Sequence, residues 1–195
     1  MTTEVLFTTP SVRCIELTRE GIPRLQRFLE ENPEYDLTVN GEAPHKGQAK
    51  EEFESMPPPE WPVGRKWYLA FEDREGTLVA IADVLSNLIA SGVWHIGLFI
   101  VATPLHGGGA AHEIYEGLEQ WMRSHGAHWS RLGVVVGNTR AERFWETLGY
   151  VEVRRRHEIP MGRRKNDLRV MAKPLAGGSM DEYLSLVSRD RPVAG

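Results

Sequence analysis

LFIVATPLHGGGAAHEIYEGLEQW, residues 98–121, runs from β-branched and aromatic residues straight into three glycines and then into a helical repeat. Glycine at the head of a helix costs conformational entropy. It belongs there only where bare backbone is needed, for a left-handed turn or for something that must reach the main chain. Before the glycines, Val93 to Val101 reads as a strand. After them, Ile114, Leu118, Trp121 and Met122 recur at helical spacing until Gly126, so the expected helix spans Gly107 to His125.

Toward the N-terminus, Trp67, Leu69 and Phe71 alternate as a strand. Asp73-Arg-Glu-Gly76 is a hairpin turn, and a second strand covers Leu78 to Leu88. Further up lie a short strand, Val12 to Leu17, and a helix carrying Ile22, Leu25, Phe28 and Leu29 that stops at Asn32-Pro33. Residues 34–64 are polar and proline-rich. Only Ala49 to Phe53 suggests a helical turn, and a segment this long reads as a lid or insertion. Toward the C-terminus, Leu132 to Val136 is almost continuously apolar, as a strand buried on both faces would be. Thr139-Arg-Ala-Glu142 reads as a capping box that opens a helix through Leu148. Two strands, Tyr150 to Ile159 and Leu168 to Pro174, are joined by a basic loop, and Ser179-Met-Asp-Glu182 caps a last helix. The order predicts a mixed α/β domain around one sheet. The expected division is residues 1–175 as the domain, with 33–64 as its insertion, and 176–195 as a C-terminal helical extension.

The chain has 195 residues, 41% hydrophobic and 26% charged, enough for one domain with a sizeable core. No apolar run reaches the roughly 18–20 residues of a membrane helix. The first residues lack a basic start and a long apolar segment, so no signal peptide is expected. One cysteine, Cys14, excludes an intramolecular disulfide and a cysteine-based zinc site, which favours a cytoplasmic setting. The net charge of −4 argues against nucleic acid as the main partner. Neither a metal nor a membrane is expected. The apolar last helix could pack on a second copy to form a homodimer.

A strand–glycine–helix junction offers free N–H groups and the positive end of a helix dipole, so His106-Gly-Gly-Gly109-Ala-Ala111 reads as a pyrophosphate cradle. It is not a P-loop, since no Gly-Lys-Ser/Thr follows, nor a dinucleotide fingerprint. The HGGG string also occurs in lipase-type hydrolases, but no G-x-S-x-G nucleophile elbow accompanies it. Val101-Ala-Thr-Pro-Leu-His106-Gly-Gly-Gly109-Ala-Ala111 resembles motif A of the GCN5-related N-acetyltransferases (GNAT). Asn138-Thr-Arg-Ala141-Glu-Arg-Phe144-Trp145-Glu-Thr-Leu-Gly149-Tyr150 is similar to the family's second signature. The resemblance covers residues 66–158.

The resemblance implies a GNAT fold, a mixed central sheet whose fourth and fifth family strands (here Val93 to Val101 and Leu132 to Val136) splay apart, with helices on both faces. It implies acetyl-CoA as co-substrate. The main chain of Phe99, Ile100 and Val101 would pair with pantetheine, and His106, Gly107, Gly108, Gly109, Ala110 and Ala111 would hold the pyrophosphate. The amide of Asn138 would meet the pantetheine arm, since Thr139 is read as the helix cap. The implied reaction is direct transfer of acetyl to a primary amine of a small molecule or protein. A catalytically inactive CoA-binding regulatory module is the alternative. Two positions depart from the pattern. His106 replaces an arginine or glutamine, and Trp145 replaces the tyrosine that protonates the CoA thiolate in many members. Indole has no ionisable proton to give.

An attacking amine must first lose a proton. The candidate base is His95. It lies eleven residues before His106, the offset of the catalytic glutamate in the family's histone acetyltransferases, and simple alternation gives it the parity of Phe99 and Val101. Its ordinary pKa suits neutral pH. Asp83, in step with Ile81 and Leu85, is the second candidate, as base or substrate anchor. The basic residues Arg154 to His157 and Arg163 to Lys165 read either as a solvated hairpin or as an anchor for an acceptor carboxylate or phosphate. Tyr35, Trp61 and Trp67 could line an aromatic acceptor pocket.

Overall fold

The computed structural model describes residues 4–192; residues 1–3 and 193–195, the outer ends of the two expected segments, lie outside the described residues. Strands β1 (Val5–Thr8) and β2 (Arg13–Glu16) lead into helices α1 (Ile22–Glu31), α2 (Glu34–Val39) and α3 (Gln48–Glu54). Then come β3 (Lys66–Glu72), β4 (Leu78–Leu85), β5 (Val93–Val101), α4 (Ala110–Ser124), β6 (Trp129–Val135) and α5 (Thr139–Thr147). The chain finishes with the long hairpin β7 (Val151–Met161) and β8 (Arg164–Pro174), then α6 (Met180–Leu186) and a 3-10 turn, Ser188–Asp190.

The eight strands form one sheet in the order β1-β2-β3-β4-β5-β6-β8-β7. Every pairing is antiparallel except β5 with β6. That parallel ladder runs only from Val93↔Trp129 to Ile96↔Leu132, so the strands part beyond Ile96 as expected. Helices cover both faces. Trp94, Ile114, Leu118, Trp121 and Trp145 belong to the core under α4 and α5, while Leu25, Phe28, Ile81 and Ile100 belong to the core under α1 and α3.

Three differences from the sequence reading have physical causes. The residues expected as a lid hold two short helices, because Tyr35, Ala49 and Phe53 find apolar partners in the α1 core and the buried Asp36 accepts from the side chains of Asn40 and Gln48. Neither helix is long enough to show a repeat. The basic loop is instead the paired end of β7–β8, with Met161↔Arg164 flanking the turn. The last helix buries Tyr183, and Val187 just after it, against Val93 and Trp129, while Leu186 stays exposed. Among the described residues, no helix is long and apolar enough to cross a membrane.

A fourth difference bears on the site. Asp83 pairs with Leu98 but Val84 pairs with Ile96, so Gly97 is an extra residue, a bulge. A bulge resets the alternation. Trp94 and Ile96 face the α4 core, and so do Phe99 and Val101; Leu98 and Ile100 face α1. His95 is therefore out of step with Phe99 and Val101, contrary to the parity expected for it.

Candidate active site

Where β5 and β6 part, two cavities open and meet. The first, about 570 Å³, runs along Phe99 to Val101, the glycine loop and the inner side of α5. The second, about 330 Å³, lies between the fork, α2 and the β7–β8 hairpin. Tyr35, Phe99, Asn138, Ala141 and Trp145 line both. The cavities are two arms of one cleft.

The glycine loop explains the residues quoted first. Gly107 and Gly109 have φ of +79° and +85°, which side chains rarely tolerate, and a Cβ on either would meet nothing within 4 Å. The glycines serve backbone conformation and leave open space beside it. The amides of Gly107 to Ala111 take no main-chain partner among the described residues, and they sit at the start of the fifteen-residue α4. This donor set fits a pyrophosphate.

His106 is held at both ring nitrogens. Arg140 Nη1 donates to its Nδ1 at 2.8 Å, and its Nε2 donates to the carbonyl of Val101 at 2.8 Å. That last bond occupies the Val101 oxygen, so the expected free main chain at Phe99 to Val101 is reduced by one acceptor. Arg140, from the first turn of α5, returns the cation missing at position 106 and also pairs with Glu34 Oε2 at 3.0 Å. Nothing in the local sequence marks it, because it reaches the glycine loop only through the fold.

Asn138 corrects a second expectation. It is itself the N-cap of α5, its side-chain oxygen accepting from Ala141 N at 3.3 Å; Thr139 is the first helical residue. The cap uses the oxygen and leaves the Nδ2 hydrogens for the cleft that Asn138 lines. Trp145 sits at the junction of the arms, edge-on to Phe99, Tyr115, Phe144 and Tyr150. Tyr150 is committed elsewhere, to Ser130 Oγ at 2.5 Å and Tyr115 at 3.0 Å. Trp67 does not line the cleft. It stacks on Trp94 at 5.1 Å beneath α4. Trp61 and Tyr35 do line it.

His95 lines the second arm, but its chemistry differs from the expectation. Arg131 Nη1 lies 3.3 Å from His95 Nδ1, and a guanidinium can only donate, so Nδ1 accepts and the neutral ring carries its proton on Nε2. Burial, then the Arg131 charge, lowers its pKa to about 3. A ring with that pKa holds a transferred proton poorly. Asp83 behaves oppositely. Burial lifts its carboxyl to about 6 against the pull of Lys66, whose Nζ lies 3.3 Å from Oδ2. Its Oδ1 is buried with no partner among the described residues. Asp83 sits behind the bulge: a Cβ on Gly97, a cavity-lining residue, would come within 3.2 Å of Oδ2.

The basic hairpin divides. Arg155, Arg163 and Lys165 form exposed pairs with Glu152, Glu42 and Glu158. Arg164 Nη1 and Asn166 Nδ2 donate to the carbonyls of Thr38 and Val39 at 2.7 and 2.8 Å, holding α2 over the cleft. Arg154 and Arg156 turn toward Asp190, which the sequence reading did not single out. Asp190 is fully buried; Arg131 binds it at 2.6 and 3.0 Å, and Tyr183 donates at 2.8 Å. Arginine within the apolar run of β6 was the one available signal for this cluster.

Gly109→Glu places a side chain and a negative charge in the cradle. The acetyl-CoA-induced rise in melting temperature is expected to disappear. Because φ at this position also strains the variant, the ligand-induced shift is the readout, not the melting temperature of the free protein.

The family model of the acetyltransferase (GNAT) family matches residues 28–150. No curated protein matches the chain by sequence. Among solved structures, the spermidine N-acetyltransferase of Vibrio cholerae in complex with CoA and spermine is 18% identical, covering 85% of this chain and 96% of its own, with a TM-score of 0.66. The ribosomal-protein-S18-alanine N-acetyltransferase of Escherichia coli is 15% identical, covering 86% and 96%, with a TM-score of 0.62. At such identities the likeness is one of fold. With the matched segment spanning both signature stretches and the sheet forked between them, the chain belongs to the acetyltransferase (GNAT) family.

Proposed function

We propose that this protein transfers an acetyl group from acetyl-CoA to a primary amine by direct attack, in the cytoplasm. The observation that carries the reading is the pair of cleft arms meeting at five shared residues: one arm suits a nucleotide thioester, the other a small acceptor. The thioester supplies the acetyl group. The amides of Gly107 to Ala111, with Arg140, bind the pyrophosphate. Phe99 and Ile100 offer main-chain groups to pantetheine, and Asn138 Nδ2 donates to it. The amine enters through the second arm.

Asp83, rather than His95, takes the amine's proton in this reading, through a bridging water past Gly97 because it lines neither arm itself; its pKa of about 6 leaves it mostly ionised at neutral pH while still able to hold a proton. Tyr35 lines both arms, and burial, followed by the charges of Glu52 and Asp36, holds its phenol protonated well above neutrality. Its hydroxyl can donate a hydrogen bond to the departing thiolate, but a phenol raised this far is too weak an acid to give up its proton, which comes from water. The deciding experiment is a thiol-release assay with acetyl-CoA and a panel of amines, with mass spectrometry of the product. Spermidine and an N-terminal alanine peptide belong in that panel, since structural neighbours are named for them.

The second reading, a CoA-binding regulatory module without catalysis, is favoured by the indole at the arm junction. CoA's thiol has a pKa near that of free cysteine, about 8.5, so departure as thiolate is tolerable. Under the enzyme reading, Trp145→Tyr changes the rate within roughly tenfold, because the new hydroxyl is an optional donor. A native protein that binds acetyl-CoA but acetylates nothing, with Trp145→Tyr creating activity, would establish the regulatory module instead.

A further inference from the structure

The second arm is walled on one side by guanidinium groups that have too few anions. Arg131, Arg154, Arg156 and Arg189 gather around Asp190, and among the described residues it is the one carboxylate that any of the four pairs with. Arg131 takes the carboxylate in bidentate fashion and Tyr183 shares it, so Asp190 has one acceptor site, on Oδ1, left for the other three arginines. The Arg156 Nη2 contact is long, at 3.4 Å. Arg154 spends Nη1 on the main-chain oxygen of Arg189. Arg189 lies flat on the Trp61 ring, 3.5 Å from its centroid. The Nε atoms of Arg154, Arg156 and Arg189 are all buried with no partner among the described residues.

Buried donors of charged groups are normally satisfied, and leaving one unpaired is costly. Burial, then the neighbouring guanidiniums, pushes the pKa of both Arg156 and Arg189 downward, the direction expected where positive charge is crowded and undercompensated. The cluster carries more positive charge than Asp190 balances. Of the four arginines, Arg131 and Arg156 line the cavity. Arg131 is already engaged, with its side chain 7% exposed, whereas the Arg156 side chain is 24% exposed and under-bonded. The rest of the wall beside them is apolar, including Trp61, Met161, Leu168 and Val170.

We propose that the acceptor is an amine that also carries a carboxylate, with Arg156 holding that carboxylate in the second arm and Arg189, stacked on Trp61, reinforcing it. This deepens the transferase reading and rests on it. The occupant it fits is an α-amino acid with an apolar or aromatic side chain. A cavity of about 330 Å³ accommodates such a molecule, and the guanidinium fork matches a carboxylate. The opposite preference has its own feature on the molecule. Asp36 Oδ2 and Tyr68 OH are buried and unpartnered among the described residues, Tyr68 directly across the β3–β4 pairing from Asp83, and would favour a polycation. Neither residue lines either arm of the cleft.

The test pairs apolar α-amino acids with the amines that lack only the carboxylate, and adds spermidine and spermine. The wild-type kcat/KM is expected to favour the amino acid of each pair by at least about tenfold, carried mainly by KM. Arg156→Gln should collapse that preference to within about threefold, and Arg156→Lys should restore part of it as a point charge. Far-UV circular dichroism and melting temperature establish that both variants fold. In parallel, the N-acetyl amino acid, which needs no turnover, should raise the melting temperature of the wild type and not of Arg156→Gln. Preference for polyamines or plain amines, indifferent to Arg156, overturns the proposal and leaves the transferase reading intact. Absence of turnover with every amine overturns the transferase reading; an Arg156-dependent shift by the N-acetyl amino acid would then still support the carboxylate site, and no shift would overturn that too.

Discussion

Asp190→Ala is expected to destabilise the protein by about 3–5 kcal/mol, because it removes one partner of a fully buried ion pair and strands Arg131 without a counter-charge. It also removes the acceptor of Tyr183. For a chain of this length that loss lowers the melting temperature by roughly 6–20 °C. The effect is pH-dependent with a definite sign. Burial raises the Asp190 pKa, but the bonds and charge of Arg131, with Tyr183 and Arg156, outweigh it and hold the folded value below the usual one. A carboxyl depressed in the folded state contributes stability above its unfolded pKa, near 4, and loses it as pH falls through the folded value. The gap between wild type and Asp190→Ala should therefore be largest at neutral pH and shrink on acidification below about 4. Chemical denaturation at several pH values measures it; a gap that stays constant or widens in acid contradicts the assignment. In the structure, the tail after β8 supplies the carboxylate that holds Arg131 in the wall of the second arm.

Asp83→Asn is expected to lower kcat by roughly 10²–10⁴-fold if Asp83 is the base, with acetyl-CoA affinity little changed. In the wild type the acid limb of kcat/KM should rise as pH rises through about 6, because the carboxylate must be deprotonated to accept the amine's proton. The variant should lose that limb. Folding should survive, since Lys66 Nζ keeps its bonds to the carbonyls of Glu52 and Ser55 at 2.9 and 2.6 Å. His95→Ala is the comparison. With Nδ1 taken by Arg131 and the pKa near 3, its loss should reduce kcat by less than about tenfold. The reverse result, a large loss at His95 and a small one at Asp83, would return the base to the histidine.

The reassignment turns on one residue. Side-chain alternation along β5 is reliable only while the ladder is regular, and Gly97 breaks it. Glycine inside a strand is a cue for a bulge, but the cue does not say whether the bulge occurs or which side the extra residue takes. His95 could therefore be placed on the strand from its sequence position and not on the correct face of it. Asn138 shows the same limit at a helix start. Thr139 and Glu142 have the spacing of a capping box, yet a cap one residue earlier satisfies the same turn, and the path of the chain leaving β6 selects it.

What could be read in advance was local. The glycine run, the strand before it, the amphipathic helix after it and the second signature stretch each follow from backbone preference and period over a few neighbouring residues. From them the sheet and its fork could be anticipated, because a parallel strand pair joined by a helix has few ways to fold. The second arm is different in kind. Its wall is made of Tyr35 and Trp61 before the sheet core, Arg131 in β6, Arg156 in β7 and, behind them, Asp190 near the end of the described chain. No spacing rule links residues that distant, and each one alone has an ordinary surface or core explanation. Burial gives them their properties: the same arginines would be solvated if the 3-10 turn did not bring Asp190 beneath them. Charge balance inside a cavity is a property of the packed molecule, and it exists only once the strands, the hairpin and the tail have met.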